Sequence, residues 1–352
     1  MPDNLSPNPT SPGRIRGIDI IRLVSFYAIL VFHLSYAFWA RDHFSIVAVK
    51  SWWLVPFEVY ARLLVFGGFT ILFLSFFLFG LKPSVSGKWK YLWLLLLLFL
   101  VVWNFTTEEL IDTWDIYPFL IASVLAVGLV RWLKIPAAVV AFCGFIIVSI
   151  PFWLFEGFFN LPAELEVALW GRCQDSANMA DWPLLPWIGY PLLAFAVGNL
   201  VRRCRHEFNN WAPGERWVWM VALLGSLPFL GNYYVTPLGM DFGCYVFRRP
   251  VLEFWAHQIW IWFMVRASLT GGVQGWLENQ PWAHWISARQ VNRRFFLVYF
   301  AHYPLVFLFG ELAHELGLAY WAAAYVTAYL SMVLLLEGLP VVIGRIFVKI
   351  KA

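Results

Sequence analysis

Long apolar runs separated by short polar segments set the plan of this chain. Runs near the length that crosses about 30 Å of hydrocarbon fall at 18–40, 54–80, 89–105, 116–133, 136–157, 184–201, 216–235, 251–267, 294–311 and 318–345. The pattern predicts an all-α, polytopic membrane helix bundle of about ten transmembrane helices. Residues 1–13 (MPDNLSPNPTSPG) are rich in Pro, Ser and Asn and read as a disordered tail, because such a composition cannot bury a core. Residues 14–352 read as a single transmembrane domain. The run after the tail is too long for a cleavable signal and lacks a small-residue cleavage site, so it reads as a retained first span.

Polar exceptions inside that first run carry the candidate chemistry. Residues 14–40 (RIRGIDIIRLVSFYAILVFHLSYAFWA) contain Asp19, Arg22 and His33. A charged group in hydrocarbon is costly, so an intramembrane ionisable residue is a functional candidate by default. Arg22 and His33 are about three helical turns apart and project on nearly one face, roughly 16 Å apart along the axis. Asp19 precedes Arg22 by one turn and can pair with it at i,i+3. Taken singly, Asp19 and Arg22 read as a surface anchor and His33 as a packing residue. The aligned trio favours function.

Charge placement orients the bundle. With the N-terminus in the cytoplasm, the inner segments hold Arg14 and Arg16; Lys82, Lys88 and Lys90; Arg131 and Lys134; Arg202, Arg203, Arg205 and Arg216; Arg266, Arg289, Arg293 and Arg294; and Arg345, Lys349 and Lys351. The outer segments hold only Arg41, Lys50, Arg172, Arg248 and Arg249. This asymmetry follows the positive-inside rule and puts both termini in the cytoplasm. On that topology Arg22 lies about 6 Å inside the inner boundary and His33 about 22 Å, in the outer half. Glu58, on the returning second span, lies about 6 Å below the outer boundary, near the level of His33. Glu58 is therefore a candidate to orient His33, unless it pairs only with Arg62, its i+4 neighbour. Asp181 and Glu156, near the outer boundary, are alternative orienting carboxylates. Desolvation disfavours a charged imidazole at that depth. A neutral His33 can accept a proton from an alcohol or amine entering from outside.

Composition supports the membrane reading. The chain is 61% hydrophobic and 13% charged, whereas soluble domains are nearer half apolar and a quarter charged. Its 22 Trp and 33 Phe suit interface belts and packed bundles. The formal net charge of +4 is small and lies between the spans, which speaks against nucleic-acid binding. Cys143, Cys173, Cys204 and Cys244 lack metal-ligand spacing, and no metal is expected. Cys173 and Cys244 fall in loops on the same outer face, where a disulfide and free thiols are both open. Pro186 and Pro191 are expected to interrupt the sixth span, with Trp187 between them as an interface anchor or a tunnel wall. His302 lies about 12 Å into its span, and His257 with Glu253 forms another intramembrane i,i+4 pair that suits packing.

Three stretches together resemble a known group. Arg22, ten residues, then His33, in a span beginning IDIIR, resembles the Arg-x10-His motif of the transmembrane acyltransferases. That superfamily includes acyltransferase family 3 and the heparan-alpha-glucosaminide N-acetyltransferase family. Asp181–Gly189 (DWPLLPWIG) resembles the Asp-x-x-Pro-Leu-x-Pro-Trp stretch of the second family, and Phe296–Leu305 (FLVYFAHYPL) resembles a late Tyr-x-x-His-x-Pro segment. The chain departs from the pattern at Leu23, where the family has Gly, at Arg293–Phe296 before the late segment, and over 241–272.

The resemblance implies His33 as the catalytic histidine and Arg22 as its motif partner. It implies cytoplasmic acyl-CoA, most often acetyl-CoA, as donor. The acceptor would be a hydroxyl or amine of a glycan or lipid-linked sugar on the outer face. Lys82, Lys88, Lys90, Arg202, Arg203 and Arg205 are candidates to hold donor phosphates, although the positive-inside rule alone accounts for basic residues there. His302 falls on the shared late segment. The chain is then expected to be a multi-pass protein of a bacterial inner membrane, with the bilayer as partner and a homodimer left open. The competing class is a transporter or flippase for a glycolipid or anionic small molecule, with the same buried charges lining its path.

Overall fold

In the computed structural model, the described residues are 15–27, 67–82, 116–150, 158–159, 161–170, 184–230 and 251–283, with isolated positions at 315, 329–330 and 333. Every regular element among them is helical, and none is a strand. In chain order they are α1 (16–27), α2 (Gly67–Gly80), α3 (Ile116–Trp132), α4 (Ala137–Ser149), α5 (Ala163–Trp170), α6 (Leu184–Trp187) and α7 (Gly189–Arg203). A 3-10 turn (Arg205–Phe208) follows, then α8 (Glu215–Leu230), α9 (Val251–Leu269) and α10 (Gly271–Glu278). Among the described residues, one stretch, Leu184–Arg203, is long and apolar enough to cross a membrane, and Phe119–Trp132 and Ala137–Ser149 are shorter apolar helices. The predicted runs at 89–105 and 294–311, and nearly all of 318–345, lie outside the described residues.

Helix boundaries follow local chemistry. The α3–α4 hairpin turns through a Schellman motif: Lys134 N–H donates to the Arg131 carbonyl and Ile135 N–H to the Val130 carbonyl. Lys134 takes the left-handed conformation usual for Gly there, with φ 55°. Pro136 then stands just before α4. Ile150 ends α4 in extended geometry, as the residue before a proline prefers.

The sixth apolar run is broken once, near Pro186. Leu185 has non-helical angles, and helix resumes at Gly189. Pro191 does not break it. It sits in the first turn of α7, where a missing N–H removes a donor that had no helical partner anyway.

Helix α7 is the axis of the fold. It is buried at Gly189, Tyr190 and Pro191, along Leu193–Ala196, and again at Gly198 and Val201. It packs on α2 and α4 and touches α3. Small residues let the backbones meet. A Cβ on Gly80 would collide with the Phe195 carbonyl, and one on Gly198 with the Phe77 carbonyl. Gly144 and Gly189 face each other in the same way across α4 and α7. Around this axis Phe73, Leu74, Phe77, Phe119, Ile18 and Ile261 are fully buried.

The outward faces are apolar as well. On α4, Val139, Phe142, Phe145 and Ile146 are exposed, and on α8 so are Trp217, Val218, Val221, Leu224 and Phe229. Helices apolar on both faces suit a hydrocarbon surround.

Candidate functional site

Helix α1 carries the charged end of the candidate motif into the core. Asp19 is 1% exposed and Arg22 4%. Ile18, Arg22 and Ser25 follow at three- and four-residue spacing and are all buried, so one helical face is both apolar and charged. Arg22 Nη2 donates to Ser75 Oγ of α2 at 3.3 Å. The start of α1 is held against the far end of α9: Gly17 packs directly on Ser268, and Arg16 Nη1 donates to the Leu277 carbonyl of α10 at 3.5 Å. Helices α2 and α9 meet where the Phe73 and Trp262 rings pack edge to face at 4.8 Å. The arginine of the motif is thus an interior group enclosed by helices distant in sequence, and its charge is retained because guanidinium does not deprotonate in proteins. Asp19 is the buried carboxylate on the same helix, one turn away.

Basic residues gather where α2, α3 and α7 end. Arg131 Nη2 donates to the Lys82 carbonyl at 3.0 Å, and the Arg131 guanidinium lies 5.8 Å from the Phe79 ring centre. Arg202 is within Coulombic reach of Arg131 and donates from Nη2 to Asn199 Oδ1 at 3.0 Å. Cations suit helix C-termini, where carbonyls lack helical partners. Three such ends together form a positive cluster, and guanidinium and ammonium groups of this kind suit phosphate oxygens. Arg131 belongs to this group although the sequence offered it only as an inner-loop charge. Lys82, Arg202 and Arg203 are exposed and Arg205 is half-buried.

A second arginine, Arg266, builds a different kind of site. It is 7% exposed and grips Glu215 through Nε–Oε1 at 2.6 Å and Nη2–Oε2 at 2.8 Å. It also donates to the Phe208 carbonyl at 2.8 Å and the Asn210 carbonyl at 2.7 Å, with Trp211 stacked 4.6 Å from its guanidinium carbon. Glu215 in turn accepts from Ala212 N–H at 2.9 Å and Trp219 Nε1 at 3.3 Å. The Arg266 hydrogen bond is the main reason that the Glu215 carboxyl is held below the usual carboxylate range. Gly214, with φ 79°, supplies the left-handed turn that swings Glu215 into place. This clamp fastens the 204–215 connection to the end of α9.

The remaining candidates divide plainly. His33, Glu58, Asp181, Lys88, Lys90, His302, Glu156, Arg62, Cys173 and Cys244 lie outside the described residues. Glu253 and His257 stand on α9. Cys143 and Cys204 are free thiols. Trp187, buried at 3% exposure, stacks on Tyr190 at 5.3 Å, inside the bundle rather than at its surface. Among the described residues no three His, Cys, Asp or Glu side chains come together as a metal site. The sequence reading missed Arg131, Ser25 and Gln258. Buried polarity in an apolar run was the available signal for the last two.

The described residues thus form a helical bundle of apolar helices with an arginine buried on α1 and a cluster of cations where three helices end. The family model for the catalytic region of heparan-alpha-glucosaminide N-acetyltransferase matches residues 14–235, and the chain belongs to that family. The matched region spans Arg22, His33 and the 181–189 stretch, and it marks the protein as an acetyltransferase. No curated protein and no solved structure matches the chain.

Proposed function

We propose that this protein is a multi-pass acetyltransferase of a bacterial inner membrane, with about ten spans and both termini cytoplasmic. It moves an acetyl group from cytoplasmic acetyl-CoA to an amine or hydroxyl of a glycan or lipid-linked sugar on the outer face. The observation that carries the reading is the family match over the Arg22–His33 segment, joined to the burial of Arg22 against Ser75. A charged group is kept in the interior only where it serves a partner or a reaction.

The roles follow from charge and position. Lys82, Arg131 and Arg202 hold donor phosphates at the inner mouth, with Lys88, Lys90, Arg203 and Arg205 as further candidates. His33 takes the proton from the acceptor as its nitrogen or oxygen attacks the thioester carbonyl. The new C–N or C–O bond forms, the C–S bond breaks, and the proton passes to the departing thiolate to give free CoA. A variant route forms an acyl-histidine first and transfers the acyl group in a second step. Glu58 or Asp181 orients the imidazole. Arg22, with Asp19 one turn before it, presents a fixed positive charge toward the anionic donor, and His302 lines the donor side.

The test uses radiolabelled acetyl-CoA with purified protein and a panel of amino sugars and lipid-linked sugars. His33→Ala is expected to lower transfer by about 100-fold or more, the usual contribution of a general base. Undiminished transfer by this variant would remove His33 from the mechanism.

A further inference from the structure

Among the buried side-chain polar atoms of the described residues that meet no hydrogen-bond partner, the oxygens are those of Ser25 and Gln258. Ser123, Ser149 and Ser226 each turn their hydroxyl onto a carbonyl of the preceding turn, at 2.8, 2.8 and 2.7 Å. Ser25 does not. It is fully buried, and among the described residues its Oγ meets no hydrogen-bond partner. Gln258 on α9 is 2% exposed, and its Oε1 is likewise without a partner. A buried polar atom left unpaired is costly and rare in native proteins.

Their levels coincide. Gly17 and Ser268 are in contact, and from there both helices reach the 73–75 stretch of α2, α1 through Arg22 going forward along the chain and α9 through Trp262 going backward. Trp262 lies further along α9 and packs on Phe73, two residues from the Ser75 that receives Arg22. By helical rise, Ser25 stands about 12 Å above Gly17 and Gln258 about 15 Å above Ser268. The two orphan groups therefore sit at one depth, within about 3 Å along the axes, just beyond Arg22 on the outward side. Gln258, Ile261, Val265 and Leu269 form the buried stripe of α9. Ser25 follows Arg22 on the buried face of α1.

We infer that Ser25 and Gln258 bind the amide-bearing arm of the acyl donor as it passes from the inner mouth toward the outer half of the bundle. This rests on the donor reading above and deepens it. The arm of an acyl-CoA carries amide N–H and carbonyl groups along a flexible chain. An amide N–H donates to Gln258 Oε1, and the Ser25 hydroxyl donates to an amide carbonyl. The amide groups meet two oxygens that have no partner among the described residues, so the pair discriminates an amide chain from a plain alkyl one.

The experiment uses full-length protein in detergent, with the thermal midpoint and KM as readouts and acetyl-CoA and 3′,5′-ADP as probes. The second probe has the nucleotide but no arm. Gln258→Met and Ser25→Ala are each expected to weaken acetyl-CoA binding about 3- to 10-fold, the scale of one hydrogen bond. Both should leave the shift caused by 3′,5′-ADP unchanged and the ligand-free midpoint level or raised. Unaltered acetyl-CoA affinity in both variants would overturn the inference and leave the donor reading standing. A lowered ligand-free midpoint, with both probes weakened together, would assign the pair to the fold and overturn it too. A wild-type protein that ignores acetyl-CoA in every readout would remove the donor reading and this inference with it.

Discussion

Two buried polar regions of this molecule are built on opposite terms. Around Arg266 every donor direction used is met: two carboxylate oxygens, two carbonyls and an indole face. Along α1 and α9 the interior holds Arg22, which donates to Ser75, and also Ser25 and Gln258, whose Oγ and Oε1 meet no hydrogen-bond partner among the described residues. A closed network rigidifies the fold. An open one stores a cost that a ligand can recover. The comparison separates an arginine that fastens elements from a polar strip kept for a visitor.

The contrast can be broken by substitution. Arg266→Met is expected to have the largest effect, about 3–5 kcal/mol of lost stability, because Glu215 keeps its charge while losing its partner. Denaturant or thermal unfolding should show this, with activity per folded molecule preserved. Equal loss of activity per folded molecule would erase the distinction between the two regions. Arg22→Met should do the reverse: acetyl transfer falls about 100-fold, near 2.7 kcal/mol of transition-state stabilisation, while the midpoint moves less than for Arg266→Met. A midpoint collapse equal to that of Arg266→Met would make Arg22 a structural clamp.

Smaller effects sharpen the picture at the basic cluster of Lys82, Arg131 and Arg202. Arg131→Gln is expected to raise KM for acetyl-CoA about 3- to 10-fold, as loss of one charge-assisted contact would. Added salt should shrink the difference, and a salt-independent KM would point away from phosphate. The smallest effect is on acidification. The depressed Glu215 pKa means that its pairing with Arg266 is fully present above the ordinary glutamate value of about 4.3. That stability is lost as pH falls through the lower folded value. Glu215→Gln should flatten this part of the stability profile, and an unchanged slope would take the clamp out of the linkage.

Much of the helical plan was legible in order along the chain. The apolar runs anticipated α1 to α4 and α6 to α9, because hydrophobicity and proline act locally. The sixth run was expected to break at both prolines, yet only the Pro186 region breaks. Proline spoils a helix interior but suits its first turn, and Pro191 falls in the first turn of α7. The burial of Arg22 and Asp19 was also visible, since charges in an apolar run have few inexpensive places to go. Arg131 was not, because the positive-inside rule makes every inner cation look alike.

Sequence by itself determined the helical class and the family, through apolar runs and motifs, and it placed Asp19 one turn before Arg22, a consequence of spacing along a 1.5 Å rise per residue. Only the tertiary structure decided that Glu215 is held by Arg266 from 51 residues away, that Arg131 meets the Lys82 carbonyl and lies near Arg202, and that Ser25 and Gln258 are buried with oxygens unpaired among the described residues. Spacing dictates which side of a helix a residue occupies. It says nothing of which distant helix comes to face it, and the pairing of polar groups depends on that second fact.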